Sequence, residues 1–291
     1  MTGGLRPTDD VARGRWVIDE LGTWATIAGI VPPRFAAYAR IFHHTGGHTL
    51  YYEDGVPAWS GAGRLRWADI ASREGTVMHP LAQWQSLLGD HVQPTGDRAG
   101  FQYDQPDTGL LDLDSLAAVA RVLAGHTATP HDTLAALWEG HGEIWGGVVQ
   151  FTIASESESE SESESATAAP PVSETLPPLF PGAAEAARLA LPHRDSLLFE
   201  LDVRTLAEPG WAQRSGWTSG SRTLTPQCLW PEDRSWFLAS EIDYDSTLVG
   251  GSEGLIAELL DLGRSGAIEV LRVPGDADLT DSGDRVNPRR S

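Results

Sequence analysis

The stretch Glu241 to Gly254, EIDYDSTLVGGSEG, carries the residue types of two different chemistries. FLASEIDYDSTL is an apolar run that ends in D-x-D-x-T, the arrangement of an aspartyl phosphate-ester hydrolase. In that pattern Asp243 is the nucleophile, Asp245 the acid and base, Thr247 a phosphate contact, and the carboxylates hold magnesium. GGSEG matches G-x-S-x-G, a strained strand-to-helix turn that presents a serine to a histidine.

Neither motif has its expected surroundings. Only 46 residues follow Asp245 in a chain of 291, too few for the sheet and the second acidic pair that such a phosphotransferase builds downstream, and the chain has no lysine. The last histidine, His193, precedes Ser252, so the usual serine, acid, histidine order fails. Ser252 reads more simply as a helix N-cap with Glu253 in the first turn. FHHTGGH offers His43, His44 and His48, but Gly46 and Gly47 disfavour the helix that would align two of them. On a strand, His43 and His44 point to opposite faces. No cofactor or metal site is therefore expected, and there is no P-loop or G-x-G-x-x-G for a nucleotide. Cys228 stands alone in an apolar run, which excludes an intramolecular disulfide and suits a buried, inert thiol.

What remains is a binding reading. Glu241, Asp243, Asp245, Ser246 and Thr247 close an apolar strand, and Ser252 opens a helix whose free N–H groups suit an anion or a partner's acidic group. Arg234 lies just upstream. The same Asp, Ser and Thr residues are also good turn formers. The expected function is a non-catalytic protein that binds a protein partner or small ligand through residues 241–252. The alternative is a metal-dependent phosphate-ester hydrolase using Asp243 and Asp245, which would need Glu139, His141, Arg194 or Arg234 to converge on them.

The elements that must position these residues are legible as apolar periodicity. Strands are expected near Phe35–Phe42 and in SLLFELDV, SRTLTPQCLW, SWFLASEID and AIEVLRV, with Pro231-Glu-Asp-Arg234 closing a hairpin, while TLAALWEG and GGVVQFTI suggest two strands or a helix-to-strand passage. Helices are expected in RWADIASRE, from Pro80 to Gly89, from an Asp114 N-cap to Gly125, and from Ser252 to Gly263. Hairpin-paired strands with interspersed helices predict an α+β fold, a mainly antiparallel sheet with several short helices packed on it. Eleven tryptophans and 41% hydrophobic residues are enough to fill one large core, so residues 1–291 read as one domain. Six serines alternating with five glutamates from Ser155 to Ser165, followed by an Ala and Pro tract, predict a disordered insert over 154–178. The polar tail 274–291 is expected to be flexible.

All 21 basic residues are arginine, and the net charge is −20. The five glutamates of the Ser-Glu run account for only a quarter of that charge, so the folded surface is acidic too. Such a surface repels phosphate backbones and anionic lipid, which argues against nucleic acid or membrane partners. The N-terminal MTGGLRPTDDVARGRW lacks the pattern of a leader, and no run approaches about 18 apolar residues, so a cytoplasmic location is expected. Taken together, YARIFH, RWADIA, LWEG, LPHR, LWPEDRSWFLASEIDYDSTLVGGS and IEVLRV resemble a family of actinobacterial proteins of unassigned function. The chain departs from that pattern at His44, where proline is usual, and in the Ser-Glu run. The resemblance implies a domain that recurs as a unit and carries no activity with it.

Overall fold

In strand after strand, neighbouring residues fall into two different apolar clusters, because side chains of an extended chain alternate between faces. Leu197 and Phe199 join one cluster and Leu198 the other; Ala135 and Leu137 join the first, Leu134 and Ala136 the second. Both faces of the sheet are therefore covered. The computed structural model describes residues 4–53, 56–88, 101–151, 172–192, 194–220 and 222–287. Among them, nine strands form one sheet in which every pairing is antiparallel. Its order is Arg6–Thr8, Arg194–Leu201, Thr133–Trp138, Cys228–Pro231, Phe237–Ala239, Ser246–Gly251, Ala37–Phe42, Glu269–Val273, with Leu189–Leu191 also on Arg194–Leu201. Short helices pack on this sheet, and the fold is α+β.

One face lies under the helices Leu113–Gly125 and Glu253–Arg264, which contribute Leu116, Val119, Leu123, Leu255, Ile256 and Leu259. Ser252 caps the second helix, its Oγ accepting from Leu255 N at 3.1 Å. The first helix is capped by Asp112, through a 3.0 Å bond from Ser115 N. The expected cap, Asp114, instead sits in the first turn, where its exposed carboxylate pairs with Arg64. Despite burial, His44, then the Ser115 amide and hydroxyl, and last Arg64 hold the Asp112 carboxylate well below the usual range, which suits it to the cap.

The other face is covered by the helix Arg15–Glu20, the segment after it, and the chain beyond Val273. The expectation of a flexible tail is corrected as far as Asn287. Ala277 and Leu279 enter the core, Asp284 accepts from Gln83 N at 3.1 Å, and Asn287 both accepts from and donates to the Val77 backbone. Polar side chains dock this segment by replacing backbone partners, a signal that hydropathy alone misses. A third cluster, Phe42, Trp67, Ile70, Trp84, Leu87 and Tyr103, joins the helix Trp67–Glu74 to a separate sheet of Thr45–Glu53, Val56–Leu65 and Phe101–Tyr103. The helix expected from Pro80 is a single turn, Trp84–Leu87.

Of the insert, residues 154–171 lie outside the described residues. The expectation of disorder over 154–178 is corrected at its end, where Val172–Leu176 pairs antiparallel with Gly147–Phe151. Backbone pairing there supplies order that the side-chain composition did not suggest.

Candidate functional site

The strand Ser246–Gly251 is wholly buried, so the presumed loop at 241–252 reduces to a turn, Glu241 to Asp245, closed by the Tyr244 N to Glu241 O bond at 3.0 Å. Its acids go to different arginines. Arg194 donates from Nε to Glu241 (3.0 Å) and from Nη2 to Asp243 (2.6 Å). Glu241 Oε2 also accepts from Asp243 N at 2.7 Å. Asp245 instead faces Arg40, 3.4 Å away, whose Nε donates to Ser246 Oγ at 2.8 Å.

Arg40 lies within the sheet with its guanidinium 4.5 Å from the Phe42 ring and donates to the Ala82 carbonyl at 2.9 Å. Burial lowers its pKa, while Asp245 opposes that shift. Ser252 is occupied as a helix cap. Arg234 belongs to the turn at the other end of the hairpin, at φ 54°, with its guanidinium 5.3 Å from Trp16. Of the four residues expected to converge on the acids, only Arg194 does so: Glu139 pairs with Arg188, and His141 meets Gln227. Among the described residues no three His, Cys, Asp or Glu side chains gather as a metal set. The three histidines of FHHTGGH are likewise dispersed, His44 lying 3.7 Å from Asp112 and His48 3.1 Å from Asp104.

His43 and Thr247 belong to a buried chain of polar groups. Nδ1 of His43 is 2.7 Å from the Asp107 carbonyl, Nε2 is 2.8 Å from Thr247 Oγ1, and that oxygen is 2.6 Å from Ser240 Oγ. A carbonyl only accepts, so Nδ1 carries a hydrogen. Burial lowers the His43 pKa and favours the neutral ring. Nε2 then accepts from Thr247, and Thr247 in turn accepts from Ser240.

A cleft of about 520 Å³, open mouth included, lies on the sheet face that carries Ala239. Its lining includes Trp24, Ile30, Leu191 and Trp138, the polar residues Ser196, Gln227 and Ser240, and the ion pair of Arg194 with Glu241. The sheet places Trp138 and Gln227 side by side: Gln227 Oε1 accepts from Trp138 N at 2.6 Å. Its Nε2 donates to His141 Nε2 at 2.7 Å. Burial lowers the His141 pKa as well. Trp24 is carried by a tight turn in which Ala25 is left-handed (φ 65°). A Cβ on Gly29 would lie 2.1 Å from the Thr23 carbonyl oxygen, so the turn closes only on glycine there. Burial, and then the Glu241 carboxylate, pushes the Cys228 thiol up to about 12, so this cleft-lining sulfur is a poor nucleophile.

Of the residues singled out in the sequence, then, Glu241, Arg194 and Cys228 line the cleft, and Asp243 reaches it through Arg194. Trp24, Ser196, Gln227 and Ser240 carried no motif. The tryptophan content reads as core filler in the sequence, and it marks out neither Trp138 nor Trp24. No family model, curated protein or solved structure matches the chain.

Proposed function

We propose that the protein is a non-catalytic, cytoplasmic binding protein whose small-ligand site is the cleft beside the Glu241–Asp245 turn. The observation that carries this reading is the cleft itself: mostly aromatic and aliphatic lining with a few polar groups among it, the usual composition of a small-molecule site. The acids of the turn support a positioning role, since Glu241 and Asp243 orient Arg194 at the rim. The phosphate-ester hydrolase alternative has less support, because Asp243 and Asp245 pair with different arginines and do not face a common site. No residue or distance favours a protein partner over a small ligand.

The test is a thermal-shift screen of small aromatic and aliphatic compounds against the wild type and Trp24→Ala. Trp24 is 44% exposed, so its removal opens a wall without emptying the core. Compounds that raise the wild-type midpoint and lose that effect in Trp24→Ala support the site. Equal shifts in both proteins, or no shift from any compound, would overturn it.

A further inference from the structure

The polar groups of the cleft differ in which of their atoms are already committed. The Ser240 hydroxyl is spent on Thr247, on the sheet face of Leu238 and Val249 rather than that of the cleft-lining Ala239. Ser196 shares the cleft face with Leu198, and its Oγ directs its hydrogen to the Arg194 carbonyl at 3.4 Å, which leaves it an acceptor. The Gln227 amide is used on both sides, accepting from Trp138 N and donating to His141. At the rim one guanidinium faces two carboxylates, Glu241 at 3.0 Å and Asp243 at 2.6 Å, so the local charge is −1. The Glu241 side chain is 8% exposed and lies against the apolar walls, where its field is poorly screened. The aromatic walls favour the same sign of guest, and the Arg194 guanidinium already sits 5.8 Å from the Trp138 ring.

We infer that the cleft takes a small apolar ligand whose polar end is a protonated amine, with Glu241 as counter-ion, Ser196 as acceptor, and Trp24 as apolar wall. The inference rests on the binding reading above and adds the chemical class. An anionic ligand would meet acceptor lone pairs and a carboxylate excess, and its one cation would first have to leave both acids.

Three probes that share a phenethyl group separate the possibilities: phenethylamine, phenethyl alcohol and 3-phenylpropionate, titrated by calorimetry at pH 7.5. The expected result is phenethylamine binding at least tenfold tighter than either of the others. That preference should fall about tenfold in Glu241→Gln and several-fold in Ser196→Ala, with a smaller loss for the alcohol. Ser196→Ala keeps the inference testable if Glu241→Gln does not fold. Equal or tighter binding of the alcohol or the propionate would overturn the amine class and leave the cleft standing as a site. Failure of all three probes to bind at millimolar concentration would overturn both.

Discussion

Thr247 Oγ1 lies 2.8 Å from Nε2 of His43, and the imidazole it meets is 2% exposed. The pKa of His43 is lowered by burial and that of His141 likewise, so each takes up a proton more readily in the unfolded chain. Between their lowered values and the ordinary histidine value near 6.5, the unfolded state binds more protons, and stability rises with pH. Denaturant unfolding at pH 7.5 and 5.5 should show the protein losing stability on acidification, by up to about 1.4 kcal/mol per pH unit for each histidine. In His43→Gln the slope should be shallower, whatever the change in absolute stability. An unchanged slope would mean that His43 does not titrate differently on folding. Glu269, whose pKa is raised by burial, works in the opposite direction, and comparing His43→Gln with the wild type cancels its contribution.

Arg40 should make Asp245 sensitive to the nature of its replacement. Asp245→Ala removes the one carboxylate hydrogen-bonded to that buried guanidinium among the described residues and is expected to destabilise by about 2 kcal/mol. Asp245→Asn retains an oxygen acceptor and should cost roughly half as much. Thermal or urea melts of both variants decide it. If Asn and Ala were equally tolerated, the ion pair would add nothing to the fold.

Trp236 ties the hairpin to the helix above it. Its ring is fully buried, and its indole N–H donates to the Leu123 carbonyl at 3.0 Å, in the last turn of Leu113–Gly125. Trp236→Ala should cost about 3 to 5 kcal/mol through the cavity and the lost bond. Trp236→Phe should retain much of the packing and lose mainly the hydrogen bond, about 1 kcal/mol, plus part of the ring's volume. Chemical denaturation of the two variants separates packing from hydrogen bonding.

Features whose partners lie a few residues away were legible in the sequence. The antiparallel strands followed from apolar runs, the 231–234 turn from its proline and acids, and the Ser252 cap from a serine before an amphipathic stretch, because hairpins and helix starts are written in adjacent residues. Strand order is not local. Ala37–Phe42 inserts between Ser246–Gly251 and Glu269–Val273, and that insertion sets Arg40 beside Ser246 and Asp245 and brings His43 to Thr247. The helix Trp67–Glu74 has no cap of its own side chains; Glu269 accepts its first two N–H groups, at 2.6 and 2.8 Å, from 202 and 201 residues away. The cleft has the same origin. Trp24, Trp138, Arg194, Gln227 and Ser240 come from separate parts of the chain, and neither spacing nor periodicity relates them. Their convergence was decided by burial of both sheet faces at once, a condition on the whole chain rather than on any window of it.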